Sequence, residues 1–426
     1  MEPSSQEPEQ TPVTDQPASP QAVVVKKSKK PLIIALTTLA ILVIAGCGVW
    51  FWWSTQQAAP KVSNDLGSTK LPPKAKVVEP NTVVYSYRAA NSQSKYDLMW
   101  RPADGGEQQN SATKAYVSTS LTYGNQVVIE TYGGTENSAP TLLYSADGGK
   151  TYKTIFTGKA AASSNDFGDQ VTGMQFASDG KSVAFAVLPN NGKNTVKQIF
   201  FDKPNEVIDL MSSDARGVFL IGFNVKLNKL YFSEGCYNCD GNGASTSVFA
   251  YDIAKKQRST LVDGADKHLG ILANKSATKL VITTPTVDKS KTSNDGAGSF
   301  WGYYVGAPFT VTVFDLENAT NTDVSATVGS ATDNAFVRAG FMADDTTPYY
   351  YKDKQLFSFG KGTSSLLYEA GQPFYEVHYV SPATVFASTG TYENFVVNRF
   401  NVKTQETKQI ITANGDTTRI LGITEN

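Results

Sequence analysis

Hydrophobic and polar positions alternate in short runs along most of the chain, and the stretch Val171–Met211 shows the pattern best. Its first two runs, Met174–Ala177 and Ser182–Leu188, flank an Asp179-Gly180 turn, which is a strong hairpin signal. Two further apolar runs follow before Met211. The stretch therefore predicts four antiparallel strands, whose apolar faces must be buried against similar neighbours.

Similar units recur after Asn81, and their second strands are the easiest to trace. These strands are predicted at Val83–Tyr87, Val127–Thr131, Val183–Val187, Leu230–Ser233, Leu280–Thr283, Tyr349–Tyr351 and Val385–Ala387. A spacing of roughly 45 residues is typical of a β-propeller, in which each blade has four antiparallel strands. We predict an all-β, seven-bladed β-propeller with blades at about 81–112, 114–158, 171–212, 217–263, 268–325, 334–370 and 374–412.

The two ends of this repeat complement each other. The first unit lacks a first strand, because the strand that begins near Thr82 corresponds to the second strand of the other units. The chain ends with an additional strand, Arg419–Thr424. Pairing these two segments would close the ring and cover edge strands that an open array exposes. We predict that closure.

A membrane anchor is predicted before the repeats. Residues 1–30 are polar, end in the basic Lys26–Lys30 cluster and predict a disordered cytoplasmic tail. Residues 31–53 carry no charge, and a helix of this length spans roughly 35 Å, enough to cross a bilayer. Residues 54–80 predict a linker, and 81–426 the propeller. The lysines place the N-terminus in the cytoplasm and the C-terminal domain outside the cell membrane.

A cleaved leader is the alternative to the uncleaved anchor. Ile44–Cys47 resembles a bacterial lipobox, which would imply cleavage before Cys47 and lipidation of its thiol. The apolar run continues beyond Cys47, which favours the uncleaved helix. Both interpretations hold the rest of the chain at the outer face of a membrane.

Charge and histidine content exclude some classes of function. The formal net charge is −1, and no cluster of Lys or Arg occurs beyond Lys30. Nucleic acid is therefore not predicted as a partner. The two histidines, His268 and His378, are too few for a histidine-rich metal site.

Two short motifs resemble known propeller repeats. Phe176–Lys181, followed by Val183–Phe185, looks like the repeat of TolB-type and WD40-like propellers. The segment Tyr144–Tyr152 resembles the Asp-box turn of sialidase-like propellers, with Tyr152 where tryptophan is usual. The matched Asp-box residues are Ser145, Asp147, Gly149, Thr151 and Tyr152. Both resemblances imply a propeller over residues 81–426. Neither of them implies a particular activity.

Enlarged connections between second and third strands are the main departures from the repeat. They are Tyr132–Pro140, Pro189–Asn194, Glu234–Thr246, Pro285–Pro308 and Ser388–Asn394. In the propellers that this chain resembles, all such loops emerge on one face, which predicts a recognition surface. Variation in tolerant loops is the alternative. The candidate ligand-binding residues are the loop aromatics Tyr132, Tyr237, Phe300, Trp301, Tyr303, Tyr304 and Tyr392, which could instead fold back as a local core.

Cys236 and Cys239 form a CxxC pair within one of these loops. Outside the cell, and without a βαβ pattern, the spacing favours a disulfide over a redox-active pair. Zinc would need two further ligands, and no other cysteine lies in the domain. Asp240, Asn242, Asn294 and Asp295 could offer oxygen ligands to Ca²⁺, but turn chemistry explains them equally well. We predict no metal and no other cofactor.

No catalytic constellation is recognisable in the sequence. The domain's arginines are thinly spread, and no G-x-S-x-G elbow occurs. The sequence therefore favours a membrane-anchored, extracytoplasmic binding or scaffolding module for a cell-envelope glycan or protein. The alternative is a propeller hydrolase or lyase acting on glycans, which would need two carboxylates at the ring centre, about 5–10 Å apart.

Overall fold

The part of the 426-residue chain that the computed structural model describes comprises 80–88, 95–132, 139–162, 168–189, 192–215, 217–235, 247–263, 270–285, 308–329, 337–391, 394–412 and 417–425. The chain divides into two units, Met1–Lys74 and Ala75–Asn426, and all described residues belong to the second. These residues contain no helix that is long and apolar enough to cross a membrane. The predicted span at residues 31–53 lies outside them.

The described residues form β-strands joined by turns and loops. In chain order the strands are β1 (Pro80–Arg88), β2 (Tyr96–Pro102), β3 (Gln109–Tyr123), β4 (Gln126–Tyr132), β5 (Thr141–Ser145), β6 (Lys153–Thr157), β7 (Gln170–Phe176), β8 (Ser182–Leu188), β9 (Asn194–Phe200), β10 (Lys203–Ser213), β11 (Gly217–Asn224), β12 (Lys229–Gly235), β13 (Val248–Asp252), β14 (Gln257–Val262), β15 (Gly270–Ala273), β16 (Lys279–Pro285), β17 (Phe309–Asp315), β18 (Thr320–Val328), β19 (Arg338–Phe341), β20 (Pro348–Lys352), β21 (Gln355–Phe359), β22 (Ser364–Glu369), β23 (Phe374–Tyr379), β24 (Thr384–Thr391), β25 (Asn394–Asn401), β26 (Thr407–Thr412) and β27 (Thr417–Glu425).

Most of these strands pair with their neighbours in sequence. Five four-stranded antiparallel sheets each take four consecutive strands, from β7–β10 to β23–β26. The remaining strands form one sheet in the order β27-β1-β2-β3-β4-β5-β6. The long strand β3 pairs with β2 near its start and with β4 from Tyr116 onward. It therefore ends one four-stranded group and begins the next.

The last strand closes the circuit of sheets. β27 lies antiparallel to β1, with Val83 opposite Ile423 and Ser86 opposite Arg419. The predicted pairing of the chain's end with its first repeat is confirmed. The strand missing from the first repeat is therefore supplied by the C-terminus.

The core lies between the sheets. One hydrophobic cluster joins β4 and β5 to the next sheet through Val128, Leu142 and Phe185. Another joins the last sheet to the first, packing Phe386 against Val83. Five further clusters join the other consecutive groups of described strands. Antiparallel sheets packed face to face in a closed circuit form a β-propeller.

The repeat predicted from the sequence matches these strands closely. Each predicted second strand lies within β1, β4, β8, β12, β16, β20 or β24, which are the strands observed in second place. The Asp179-Gly180 turn is also confirmed, because Gly180 has a φ of 69° and donates its N–H to Ala177 O at 2.8 Å.

One predicted insert is wrong. Residues 388–394 are not an enlarged loop, because β24 continues to Thr391 and pairs with Asn394 at the start of β25. Ser388 and Thr389 are buried in this hairpin. Their polar side chains are typical of a loop, but their backbones continue the hydrogen-bond ladder of the strand.

Candidate functional site

The first strands of several sheets surround two adjoining cavities. The upper chamber, about 460 Å³, lies where β15, β19 and β23 begin. The lower chamber, about 340 Å³, lies where β15, β19 and β27 end. Leu272, Tyr349, Val377 and His378 line both chambers. Because second strands run opposite to first strands, the connections that follow them emerge at the upper end.

Arg338 is the cationic group of the upper chamber. It begins β19 directly opposite Tyr351 on β20. Its guanidinium donates a hydrogen bond to Tyr375 O at 3.3 Å, and the Tyr351 hydroxyl donates to the same carbonyl at 3.4 Å. Burial raises the pKa of Tyr351 to about 12, although the nearby Arg338 opposes this shift. The phenol therefore stays protonated and helps to hold the guanidinium at the chamber's mouth.

Glu376 and His378 lie two residues apart on β23, so their side chains leave the strand on the same side. Glu376 Oε2 and His378 Nε2 are 3.6 Å apart, which is too far for a hydrogen bond. Among the described residues, His378 Nε2 is buried and has no hydrogen-bond partner.

Apolar side chains make up much of the upper chamber's wall. They are Ile271, Leu272, Phe309, Val337, Ala339 and Val377. Leu272 remains 50% exposed although it lies between the two chambers. An exposed leucine in a concave wall is a ready contact for an apolar ligand group.

The lower chamber is held together by polar contacts between sheets. Lys275 Nζ lies 2.5 Å from Glu425 Oε1, which joins the end of β15 to the end of β27. The Asp345 carboxylate accepts hydrogen bonds from the backbone N–H groups of Lys275 and Ser276. Asn274 accepts the N–H of Thr278 and donates to Asp345 O. Both carboxylates of this chamber are therefore engaged by neighbouring residues.

Two further buried tyrosines lie beside the chambers, of which Tyr349 lines both and Tyr379 lines the lower one. Burial raises the pKa of Tyr349 and Tyr379 above the usual range, so both phenols remain protonated. Tyr349 donates to Val377 O at 3.2 Å. The Tyr379 hydroxyl is buried and has no hydrogen-bond partner within the described part of the chain.

The structure describes one of the predicted ligand-binding aromatics. Tyr132 ends β4 at the upper end, is 45% exposed and stacks on Tyr116 at 5.6 Å between ring centroids. The other candidates lie outside the described residues, namely Tyr237, Phe300, Trp301, Tyr303, Tyr304, Tyr392, the cysteines Cys236 and Cys239, and the candidate calcium ligands Asp240, Asn242, Asn294 and Asp295. Within the described residues, no three His, Cys, Asp or Glu side chains are grouped so that they could hold a metal ion.

The segment that resembles an Asp-box forms a tight hydrogen-bonded turn between β5 and β6. Asp147 accepts bonds from the Thr151 hydroxyl at 2.6 Å and from the Ser145 hydroxyl at 2.7 Å. Gly149, with a φ of 83°, donates its N–H to Ser145 Oγ at 2.9 Å. The Tyr152 ring packs against the cluster between the first two groups of strands. None of the residues of this turn lines either chamber.

Sequence reasoning missed Arg338, Glu376 and the position of His378. The residues that the sequence singles out lie in loops, whereas these groups lie on first strands. The available signal was a charged residue in a short first strand whose other positions are small or apolar. Chemically, the upper chamber offers a guanidinium, a carboxylate, an imidazole and an apolar wall.

Comparison with known proteins gives fold likenesses only. No family model and no curated protein matches the sequence. Among solved structures, the chain is similar to TolB from Acinetobacter baumannii, with 11% identity, a TM-score of 0.42 and coverage of 80% of this chain and 65% of that chain. It therefore spans less than two thirds of the TolB chain.

Two further likenesses have similarly low identity. The periplasmic gluconolactonase of Pseudomonas aeruginosa is 12% identical, with a TM-score of 0.48 and coverage of 80% of this chain and 100% of that chain. The β-propeller domain of the Trilobed protease from Pyrococcus furiosus is 10% identical, with a TM-score of 0.44 and coverage of 69% of this chain and 82% of that chain.

Proposed function

We propose that this chain is a membrane-anchored, extracytoplasmic β-propeller of seven blades that binds a cell-envelope glycan or protein at its upper chamber. The blade count rests on counting β3 twice, as the last strand of one blade and the first strand of the next. The anchor is the uncharged segment at residues 31–53, with the basic Lys26–Lys30 cluster on its cytoplasmic side.

The observation that carries the proposal is the composition of the upper chamber. A cavity of about 460 Å³ that combines an apolar wall with a few fixed polar groups has the usual character of a ligand site. Arg338 is held in place by Tyr375 and lies beside the phenol of Tyr351. Tyr132 and the predicted loop aromatics would extend the same binding surface at the upper end.

The described carboxylates support the proposal of binding rather than glycan hydrolysis. Among the described lining residues, the upper chamber has one carboxylate, Glu376. The lower chamber has Asp345 and Glu425, but Asp345 accepts two backbone N–H groups and Glu425 pairs with Lys275. A glycosidase needs one carboxyl group that can give up a proton and a second that can attack or activate water.

The segment Ser145–Tyr152 is an Asp-box in this proposal, with a structural role. Its hydrogen bonds close a hairpin, and its glycines lie against the side chains of Thr82 and Val84 on β1. The turn therefore supports the strands that close the ring.

Retention of envelope components tests the binding function. Full-length protein in detergent would be immobilised and exposed to a cell-envelope extract, beside Arg338→Gln and the control Lys203→Gln on an outer strand. Wild type and the control should retain the same glycan or protein, and Arg338→Gln should lose it. No retention by wild type, or equal retention by all three proteins, would contradict the proposal.

Protease treatment of intact cells tests the predicted location. An external protease should degrade the domain after residue 54 while the cytoplasmic tail stays protected. Full protection of the domain would contradict an extracytoplasmic location.

A further inference from the structure

We propose that the upper chamber takes an extended peptide that carries a carboxylate next to an apolar side chain. The inference deepens the proposed binding function and rests on it, because it names the ligand class of the same chamber. It assigns the carboxylate to Arg338, the apolar side chain to Leu272 and the peptide backbone to the open edges of β15 and β19.

Arg338 is suited to a carboxylate. A guanidinium has five N–H donors, and the contact with Tyr375 O holds it in position while leaving donors for a planar partner. Among the described residues, no carboxylate lies within ion-pair distance of Arg338. Arg338 is itself exposed, and the Tyr375 ring, 5.8 Å from the guanidinium, is 46% exposed.

The wall beside Arg338 is suited to an apolar side chain. Leu272 is half exposed and borders both chambers, with Ile271 and Ala339 beside it. An apolar group inserted here would remove exposed hydrocarbon from water on both partners, which favours binding. The Arg338 guanidinium and the apolar wall with Leu272 therefore lie next to each other in the upper chamber.

Free strand edges distinguish a peptide from a glycan. β15 and β19 each lie at the edge of their sheet, so one side of each backbone has no partner strand within the described residues. β23 is also an edge strand, but its Tyr375 and Val377 carbonyls already accept hydrogen bonds from side chains of the neighbouring sheet. Extended peptides add to such edges through main-chain hydrogen bonds, whereas a glycan lacks the regular amide spacing. Both β15 and β19 border the apolar wall of the upper chamber.

Selection from peptide libraries tests the proposal. Full-length protein in detergent would be used to select random octapeptides displayed on phage, in one library with free C-termini and one with internal display. Enriched peptides should pair an acidic group with leucine, isoleucine or valine. Enrichment in the first library alone would identify the terminal carboxylate as the source of charge, and enrichment in both would identify Asp or Glu side chains.

Variants then place the peptide in the chamber. Affinity for a selected peptide, measured by fluorescence anisotropy, should fall about tenfold or more in Arg338→Gln. It should fall similarly in Leu272→Glu, which repels the carboxylate, and should stay unchanged in Lys203→Gln. Equal affinity in all variants, or no enrichment from either library, would overturn the proposal.

The failure of this inference can be told apart from failure of the proposed function. If an envelope glycan binds wild type, is lost in Arg338→Gln and no peptide is enriched, the chamber binds ligand but the peptide assignment is wrong. If neither peptide nor envelope component is retained by wild type, the binding function itself is wrong.

Discussion

The hydroxyl oxygens of Thr82 and Thr424, which are 342 positions apart in sequence, lie 2.6 Å from each other in the buried seam between β1 and β27. Thr82 also donates its hydroxyl hydrogen to Gly148 O at 2.7 Å. Because a hydroxyl has one hydrogen, Thr424 must be the donor to Thr82. The two threonines therefore link the closing strands to the turn that resembles an Asp-box.

Replacing Thr82 with valine should weaken this seam. Thr82→Val removes the donor to Gly148 O and the acceptor for Thr424, so the free energy of unfolding should fall by about 1–3 kcal/mol. Thr424→Val should have a similar effect. Because both variants break the same contact, the double variant should cost less than the sum of the two. Urea unfolding of the four proteins measures this coupling, and strictly additive losses would contradict it.

Much of the fold could be predicted because its signals are local. The Asp179-Gly180 hairpin and the recurring second strands depend on turn chemistry and alternation over a few residues. The continuity of β3 could not be predicted in this way. The predicted units separate between residues 112 and 114, where the structure has Ala112 with a φ of 60°, yet the strand continues into the next group.

The candidate site was much less predictable. Arg338, Glu376 and Leu272 lie on three different first strands, and only the closed circuit of sheets brings them to one cavity. The positions of these three residues along the sequence do not indicate that they lie close together in space. The loop aromatics were visible in the sequence because an aromatic cluster between glycines is a local pattern, whereas isolated charges on short strands are not.

Gly422 should be intolerant of any side chain. A Cβ at this position on β27 would lie 2.1 Å from Thr122 Cγ2 on β3. Gly422→Ala should therefore lower the free energy of unfolding by about 1–3 kcal/mol through overpacking. Thermal unfolding would measure the loss.

Two further variants identify the cause of that loss. Gly371→Ala is the matched control, because its added Cβ would meet nothing within 4 Å, and its stability should match that of wild type. Thr122→Ala combined with Gly422→Ala removes the clashing methyl group and should recover part of the stability. If the double variant is as unstable as the sum of the singles, the steric explanation is wrong.

Asp147 should make the fold acid-sensitive. Burial alone would raise its pKa, but hydrogen bonds from Thr151, Ser145 and Lys150 outweigh burial and lower the pKa below 3.8. Because the folded-state pKa lies below the unfolded value, the carboxylate stabilises the fold above about pH 3.8, and this contribution is lost as pH falls through the folded-state pKa.

Asp147→Asn tests this acid sensitivity. The variant keeps the size of the side chain, so its stability should be lower than that of wild type at neutral pH and the gap should narrow towards acid. Asp202→Asn, in the β9–β10 turn, is the control and should follow the wild-type curve. A gap that stays constant between pH 7 and pH 3 would contradict the assignment.

Glu130 should have the opposite pH dependence. It is 6% exposed on β4, and burial raises its pKa from 4.5 to about 7, with a hydrogen bond from Ser118 opposing the shift. The folded state therefore keeps the proton to a higher pH than the unfolded state does. The associated stability is fully present below about pH 4.5 and is lost as pH rises to about 7, a change on the order of 3 kcal/mol.

Glu130→Gln isolates this effect, because glutamine imitates the protonated carboxyl group and does not titrate. Urea unfolding at pH 5 and pH 8 should give the variant nearly the same stability at both values, and it should exceed wild type at pH 8. Glu206→Gln is the control, since Glu206 is exposed on β10, and it should keep the wild-type loss between the two values. If wild type and Glu130→Gln lose the same stability between pH 5 and pH 8, another group causes the pH dependence. Glu130 would then be ionised in the folded state at neutral pH.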